Sequence, residues 1–294
     1  MKIIVTGGSG MVGSNFIHFM SKKNITLLSV YYSNPTNFNY CDNHKIDIVN
    51  KEAVLNLKKF NPDIIIHCAA ITNIAFCEEN PRIAYNVNVK GTKNLIELAK
   101  ITQAIFVYIS SDAIFDGEKG MYTEDNPPNA LTVYGKTKAE GEYYCSNNYN
   151  LSIIIRTNVF GRNNFIPKTS FVESLLQNLE KNIPYSAFTD AIFSPIYVEE
   201  LLEIVLELAQ KKSYGTYNVV SSVALTKYEF AKTLAKAFDY DLNLIKESSV
   251  TTISQNIKYP KNVSLDNHKI SKILNRKIPP LTEMLERFRK ELNK

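Results

Sequence analysis

The stretch IIVTGGSGMVGSNF, residues 3–16, joins an apolar, strand-like run to a segment of helical period through glycines at positions 7, 10 and 13. Gly7 can take the positive φ of a tight turn, Gly10 lets the backbone approach a bound group closely, and Gly13 lets a helix pack near the strand. The N-terminus of a helix also favours an anion, because its N–H groups are free and carry partial positive charge. The stretch therefore predicts a phosphate-binding turn. A plain glycine-rich turn is the alternative, and a βαβ context favours the phosphate site.

Short apolar runs alternate with longer segments of helical period through the first half of the chain. The predicted strands cover residues 2–5, 26–30, 63–68, 104–109 and 151–156, and the predicted helices cover residues 11–22, 51–60, 84–100 and 134–146. This alternation requires a parallel sheet, and the continuous apolar runs indicate strands covered by helices on both faces. We expect an α/β fold in which residues 1–158 form a Rossmann-type, doubly wound parallel sheet that binds a dinucleotide.

The second half of the chain, residues 159–294, follows this rhythm less regularly. Helices are predicted at residues 171–181, 198–209, 226–238 and 281–293, and a short strand at residues 216–220. We expect this half to be mainly a smaller C-terminal α/β lobe that binds the substrate, with some elements returning to the sheet. The sequence contains no internal repeat and no low-complexity linker.

The composition is ordinary for a globular protein, with 45% hydrophobic and 21% charged residues. No apolar run approaches the roughly 20 residues of a membrane span, and a strand-like run that begins at Lys2 leaves no room for a secretory leader, so we expect a cytoplasmic protein. The cysteines form no CxxC pair and no pattern with histidine, which predicts neither a metal site nor a disulfide framework. The net charge of +5 is thinly spread, which argues against nucleic acid and suits a small phosphate-bearing ligand.

Several segments resemble, in order along the chain, the fingerprints of the extended short-chain dehydrogenase/reductases, a family of nucleotide-sugar epimerases, dehydratases and reductases. TGGSGMVG at 6–13 resembles their cofactor loop, DIIIHCAA at 63–70 their strand ending in Ala-Ala, and NVNVKGTKNL at 86–95 the start of the following helix. Asp47-Ile48 is similar to the pair that meets the adenine ring, with an exposed Asp before a helix as the alternative. The resemblance implies cofactor contacts from Thr6, Gly7, Gly10, Met11, Val12, Gly13, Ser33, Asp47, Ile48, Cys68, Ala69, Ala70, Asn88, Ser110, Tyr134 and Lys138.

The catalytic candidates are Ser111, Tyr134 and Lys138. Tyr134 and Lys138 lie four residues apart on a predicted helix and therefore share a face. An ammonium beside a phenol favours the phenolate, so we expect Lys138 to lower the pKa of Tyr134 and to hold the cofactor ribose as well. A second Tyr-x-x-x-Lys at Tyr228 and Lys232 lacks a preceding Ser or Thr at a strand end, so we assign it to helix surface and packing.

The segment ISSDAIFDG, residues 109–117, distinguishes the branches of this family. Dehydratases follow the catalytic Thr with Asp-Glu, whereas here Ser111 is followed by Asp112 and Ala113, which argues against dehydration. The segment resembles that of the dTDP-4-dehydrorhamnose reductase branch. YGKTKAEGE at 134–142, RTNVFGRNNF at 156–165 and YPKNVSLDNHKI at 259–270 resemble that branch as well.

This resemblance implies an NAD(P)-dependent oxidoreductase that reduces a keto group on a nucleotide-diphosphate sugar. Asp112, Arg156 and Asn164 are the candidate substrate contacts, and Arg162 and Lys168 are further cations that could meet the diphosphate. The branch usually differs from this chain in the loop at 188–201 and at Tyr259, so rhamnose as the product stays open. A nucleotide-sugar epimerase and a non-catalytic regulatory subunit of the same fold are the alternatives.

The choice of coenzyme depends on the segment SVYYSNPTN, residues 29–37. It offers no carboxylate to bind the 2′-hydroxyl of NAD, which favours NADP. No arginine is present there to bind a 2′-phosphate, so Ser33 and Asn34 would have to do so. A homodimer through the helices near 89–100 and 140–146 is a further expectation from the family.

Overall fold

The computed structural model describes residues 1–23, 25–163, 170–252 and 257–292. The strands are β1 (Lys2–Thr6), β2 (Thr26–Tyr31), β3 (Asp42–Lys45), β4 (Ile64–His67), β5 (Ile105–Ile109), β6 (Ser152–Arg156), β7 (Val159–Phe160), β8 (Tyr185–Phe188), β9 (Ile192–Phe193), β10 (Ile196–Tyr197), β11 (Gly215–Asn218), β12 (Leu225–Thr226) and β13 (Ile245–Ser248). The α-helices are α1 (Met11–Ser21), α2 (Lys51–Asn56), α3 (Ile74–Glu79), α4 (Pro81–Tyr85), α5 (Gly91–Thr102), α6 (Val133–Asn148), α7 (Phe171–Glu180), α8 (Val198–Gln210), α9 (Lys227–Ala237), α10 (His268–Leu274) and α11 (Leu281–Leu292).

A parallel sheet in the order β11-β6-β5-β4-β1-β2-β3 forms the centre of the described structure. From β1 the chain first builds outwards through β2 and β3, then returns to place β4, β5 and β6 on the other side. The strand order therefore reverses between β1 and β4, and in open α/β sheets this switch point opens a crevice at the carboxyl ends of the strands. The prediction of a Rossmann-type doubly wound sheet is confirmed.

Successive residues of the strands enter two different hydrophobic cores. Ile3 and Val5 of β1 pack into one core, while Ile4 between them packs into the core on the opposite face. Ile64 and Ile66 of β4 alternate with Ile65 in the same way. Since side chains alternate across a strand, a sheet with helices on both faces needs apolar residues at every position. This explains why the apolar runs in the sequence are continuous.

The C-terminal half contributes to both the sheet and a separate lobe. β11 pairs in parallel with β6, and α8 packs against α1, so this half completes one edge and one helical layer. The short strands pair as β8 with β13, β9 with β12, and β7 with β10. Aromatic rings fill the space beneath them, with Phe160 in contact with Tyr197, Phe230 and Phe288.

Two stretches of secondary structure differ from the sequence-based expectation. The edge strand β3 has the polar sequence DNHK, which carries no hydrophobic signal. Backbone pairing to β2 holds it in the sheet. The helix expected at 84–100 is preceded by α3 and divided into α4, a π-helical turn at Asn86–Lys90 and α5. Such turns add a residue to a helix and occur often at functional sites. This turn carries Asn88.

Candidate active site

The glycine turn after β1 has a backbone that side chains would block. Gly7 has a φ of +68°, and a Cβ there would lie 2.7 Å from the backbone nitrogen of Ala69. A Cβ on Gly13 would lie 2.3 Å from the carbonyl oxygen of Gly7, so Gly13 packs against the turn itself. Gly10 is the N-cap of α1, and the first-turn amides of Met11 and Val12 have no acceptor within the helix. The turn thus presents free N–H groups at the positive end of a helix, which suits a pyrophosphate.

A cleft of about 620 Å³ opens beside this turn. The sequence-predicted residues that line it are Gly7, Gly10, Ser33, Asp47, Ile48, Cys68, Ala69 and Ala70. They follow β1, β2, β3 and β4, so the cleft lies at the switch point of the sheet. Its dimensions and lining fit the adenosine and pyrophosphate portion of a dinucleotide.

Several residues of the cleft wall were missed by the sequence analysis. Tyr31, Tyr32, Phe76, Ile83 and Asn86 line it as well. Phe76 and Ile83 are exposed hydrophobic side chains on short helices, and no motif marks them. Among the described residues lining the cleft, none is Lys or Arg, so anion binding here depends on backbone amides and on Ser33 and Asn34.

Thr6 lies behind the cleft wall rather than in it. Its hydroxyl is 2.7 Å from Nδ1 of His67, whose Nε2 is 3.0 Å from the hydroxyl of Thr92. Thr92 donates its own proton to the carbonyl of Asn88, so the His67 ring donates from Nε2 and accepts at Nδ1. Burial, together with the charge of Lys138, holds the pKa of His67 well below its usual value. A neutral histidine therefore joins β1 and β4 to α5.

Asn88 also has a different position from the one predicted. Its Oδ1 accepts from the amide of Ile71 at 2.8 Å, and its Nδ2 donates to the Ile71 carbonyl and to the Thr137 hydroxyl. Thr137 in turn donates to the Tyr134 carbonyl at 2.8 Å. Asn88 is buried, and its side-chain polar atoms are all hydrogen-bonded. The prediction of a direct cofactor contact is therefore corrected: Asn88 supports the backbone at Tyr134 through Thr137.

Ser111 and Tyr134 come together at the carboxyl end of β5. Ser111 caps a short helical turn by accepting from the amide of Ala113, and its hydroxyl lies close enough to the Tyr134 phenol to influence the pKa of that phenol. Tyr134 lies in the first turn of α6, which approaches closely because a Cβ on Gly135 would lie 2.1 Å from the Ala113 carbonyl oxygen. The neighbouring Ser110 hydroxyl is buried and has no hydrogen-bond partner among the described residues.

The pKa of Tyr134 differs from the expectation. Burial raises it to about 12, and the charge of Asp112 adds to this effect, while the nearby Ser111 hydroxyl opposes it. The ammonium of Lys138 lies 4.0 Å from the ring centroid of Tyr108 instead, and burial lowers the pKa of Lys138 to about 8. The predicted lowering of the Tyr134 pKa by Lys138 is therefore wrong for this structure, and the phenol is protonated at neutral pH.

The candidate substrate residues lie in different environments. Asp112 is buried next to Ser111, and its carboxylate accepts from Asn158 at 2.6 Å and from Ser111 at 3.1 Å. Burial raises the pKa of Asp112, while those two hydrogen bonds and the charge of Lys227 oppose the rise. Asn164 and Lys168 lie outside the described residues.

Arg156 is not available to a substrate. Its Nη2 lies 2.9 Å from the Glu142 carboxylate, and both side chains are buried. Nη1 donates to the carbonyl of Glu124, and the guanidinium lies over the Phe115 ring. The prediction that Arg156 contacts the substrate is therefore corrected to a buried ion pair that joins β6 to α6.

Neither a membrane-crossing helix nor a metal-ligand cluster occurs in the part of the chain that the structure describes. None of its helices combines the length and the apolar character needed to cross a bilayer. No group of three or more His, Cys, Asp or Glu side chains converges there as ligands would. The cysteines at 41, 68, 77 and 145 are free thiols.

The glycine turn, the switch-point cleft and the Ser111–Tyr134 contact define an oxidoreductase of the extended short-chain dehydrogenase/reductase type. Within that class, the family described as the RmlD substrate binding domain matches residues 1–294, and the chain belongs to it. The expectation drawn from the family fingerprints is thereby confirmed.

Individual relatives agree with this assignment. The chain is 28% identical over 284 residues to the dTDP-4-dehydrorhamnose reductase of Aggregatibacter actinomycetemcomitans, covering 92% of each protein. It is also 28% identical to the methionine adenosyltransferase 2 subunit beta of Xenopus tropicalis, covering 92% of this chain and 82% of that one. The crystal structure of a Bacillus anthracis dTDP-4-dehydrorhamnose reductase in complex with NADP matches with a TM-score of 0.84 at 26% identity, covering 99% of both chains.

Proposed function

We propose that this protein uses NADPH to reduce a keto group on the sugar of a nucleotide-diphosphate sugar. The observation that carries the proposal is the proximity of the Ser111 hydroxyl to the Tyr134 phenol at the carboxyl end of β5, on the same edge of the sheet as the glycine turn. Bound NADPH supplies the hydride that reduces the carbonyl carbon. Tyr134 gives its phenolic proton to the carbonyl oxygen, and Ser111 donates a hydrogen bond to the same oxygen. The product is the alcohol, and Tyr134 regains a proton from solvent.

The protonation state of Tyr134 matches the role of a proton donor in a reduction. A pKa raised to about 12 keeps the phenol protonated at neutral pH, so it is ready to act as an acid. An epimerase would need the same group to act first as a base. Lys138, four residues beyond Tyr134 on the same helix, would bind the ribose hydroxyls and hold the coenzyme in place.

The coenzyme preference rests on the end of the cleft beyond β2. Ser33 and Asn34 line it, and they could donate hydrogen bonds to a 2′-phosphate. No carboxylate follows β2 at the position that would bind the 2′-hydroxyl of NAD. The NADP complex of the B. anthracis relative supports the same choice. A direct comparison of NADH and NADPH binding tests it, and tighter binding of NADH would contradict it.

A screen of nucleotide-linked keto sugars tests which substrate the protein reduces. Purified protein is mixed with NADPH and with 4-keto sugars linked to dTDP, UDP, GDP or CDP, and absorbance at the nicotinamide band is followed. We expect consumption of NADPH with dTDP-4-dehydrorhamnose or a related 4-keto-6-deoxysugar, as the name of the A. actinomycetemcomitans relative suggests. Tightly retained coenzyme with interconversion of sugars and no net oxidation would instead indicate an epimerase.

A regulatory role is the second candidate, because the X. tropicalis relative is named as a subunit of another enzyme. The arrangement of Ser111 and Tyr134 is intact here, which favours catalysis. Failure of every keto sugar in the screen, together with co-purification of a second enzyme from the native host, would favour the regulatory role. The predicted homodimer and the cytoplasmic location stay predictions.

A further inference from the structure

Tyr108 lies directly beneath the ammonium of Lys138. It belongs to β5, and its ring is fully buried in the core on one face of the sheet. The Nζ atom of Lys138 lies 4.0 Å from the centroid of this ring, and only 3% of Lys138 is exposed. The face of an aromatic ring attracts a cation, and the attraction is stronger where water is excluded. The ring is therefore well placed to hold the ammonium.

The contact depends on a close approach of α6 to β5. The Tyr108 phenol donates a hydrogen bond to the Lys138 carbonyl at 3.3 Å. A Cβ on Gly141 would lie 2.2 Å from the phenolic oxygen, so the missing side chain at Gly141 leaves room for the phenol. Tyr108 thus contacts both the backbone and the ammonium of Lys138. Because a flexible stem separates these two ends of a lysine, a contact at each end fixes the direction of the side chain.

The other titratable groups around the ammonium and the ring do not replace this contact. They are His67, Cys68, Tyr134, Glu142 and Cys145. The Glu142 carboxylate is paired with Arg156 at 2.9 Å. Burial raises the pKa of both thiols and of Tyr134 and lowers that of His67, so these four groups are neutral at pH 7. Among the described residues, the Tyr108 ring therefore stabilises the charge of Lys138 by direct contact.

We infer that Tyr108 is a positioning residue for the coenzyme, because its ring holds the Lys138 ammonium where that group would meet the ribose. The inference rests on the proposed function, which assigns Lys138 to the ribose hydroxyls. The ring attracts the charged ammonium but not the neutral amine. Loss of the ring should therefore lower the pKa of Lys138, so that the charge, which is present below the pKa, is lost at a lower pH.

Tyr108→Leu tests the inference, because it removes the ring and keeps an apolar side chain. NADPH binding is measured by calorimetry from about pH 6 to about pH 10. Burial lowers the pKa of Lys138 to about 8, so the affinity of wild type should fall around that pH. In Tyr108→Leu the midpoint of this fall should move down by roughly one pH unit. Below both midpoints, Tyr108→Leu should bind about twofold to tenfold more weakly than wild type, since an ammonium that is free to move loses more freedom on binding.

Two matched variants separate positioning from packing. Tyr108→Phe keeps the ring and should keep the wild-type midpoint. Phe106→Leu removes a fully buried ring from the same strand and the same core, where the neighbouring ring at 5.9 Å belongs to His67, which is neutral. This variant should lower the melting temperature about as much as Tyr108→Leu does and leave the midpoint unchanged.

A second series serves if Tyr108→Leu is too unstable to purify. Phenylalanines with increasing numbers of ring fluorines replace Tyr108, because fluorine withdraws negative charge from the ring face with little change in shape. The midpoint should fall stepwise along the series. NMR of isotope-labelled lysine in the coenzyme-free protein should show the same stepwise fall for Lys138, and Lys138→Arg assigns its resonance.

Two results would overturn the inference. One is a midpoint that stays at the wild-type pH in Tyr108→Leu and throughout the fluorinated series. The other is an equal shift in Phe106→Leu, which would assign the effect to loosened packing. If wild type binds NADPH with the expected profile but reduces no keto sugar, the proposed function fails, and the comparison of midpoints still decides the role of Tyr108.

Discussion

The coenzyme side and the proposed substrate side of this molecule are built by different means. On the coenzyme side, the shape of the backbone matters most: Gly7 and Gly13 leave room that any side chain would fill, and the cleft wall offers amides rather than cations. On the proposed substrate side, side chains from distant segments meet, as Asp112 and Asn158 do. Backbone requirements leave a signature in a short stretch of sequence, whereas convergence of side chains does not.

The largest expected effect is on stability, and it distinguishes a structural role of Arg156 from a role in substrate binding. Arg156→Met removes one partner of a buried ion pair, so it should lower the free energy of unfolding by about 3–5 kcal/mol. Urea denaturation measures this, and the KM for the sugar nucleotide should stay close to wild type. The double variant Glu142→Leu/Arg156→Met should be more stable than Arg156→Met, because no charge is left buried alone. An Arg156→Met protein that is as stable as wild type but has a raised KM for the sugar nucleotide would instead indicate that Arg156 contacts the substrate.

Tyr134→Phe should have the next largest effect, on turnover alone. Removal of the proton donor should cost about 3–4 kcal/mol of transition-state stabilisation, or roughly 10²–10³-fold in kcat. Tyr228→Phe in the second Tyr-x-x-x-Lys is the matched control and should turn over normally. Near-normal turnover of Tyr134→Phe would show that another group supplies the proton.

Gly7→Ala tests the backbone requirement on the coenzyme side. The φ of +68° and a Cβ only 2.7 Å from Ala69 should together cost about 1–3 kcal/mol, seen as weaker NADPH binding and a lower melting temperature. Gly10→Ala is the control, because Gly10 has a negative φ and its Cβ would lie 3.3 Å from the nearest atom. Equal losses in both variants would mean that crowding by bound phosphate, rather than the turn geometry, excludes side chains.

The smallest effect concerns the pH dependence of coenzyme binding. Burial lowers the pKa of Lys138 to about 8, so its ammonium is present below pH 8 and is lost as the pH rises through that value. NADPH affinity without substrate should therefore fall by roughly 1 kcal/mol between pH 7 and pH 9, as a charged hydrogen bond becomes a neutral one. Lys138→Arg, which stays protonated, should flatten the profile. A wild-type profile that is already flat would remove Lys138 from the coenzyme site.

The parts of the fold that depend on hydrophobic periodicity could be predicted from the sequence. The central strands are apolar at nearly every position because both faces are buried, and helices such as α7, α8 and α11 are clearly amphipathic. The edge strand β3 could not be predicted, since its polar sequence DNHK carries no hydrophobic signal. The π-helical turn around Asn88 could not be predicted either, because its residues are compatible with an ordinary helix.

The residues of the candidate site also differ in whether the sequence could predict them. The glycine turn and the pair Ser111 and Tyr134 follow from spacing and from their place after strands. The role of Arg156 could not be read from the sequence, since an arginine at a strand end serves equally for a ligand or for an ion pair with Glu142. The contacts of Lys227 with the rings of Phe171 and Phe193 carried no signal either, because they join segments that are distant along the chain.

The pairing of β11 with β6 bears on any attempt to divide the protein. A fragment ending near residue 158 would leave β6 as a bare edge, with unpaired backbone N–H and C=O groups and a face of Ile153 and Ile155 stripped of α8. Such an edge invites pairing between copies, so we expect the isolated coenzyme half to aggregate. We therefore expect the two halves of the chain to fold as one unit.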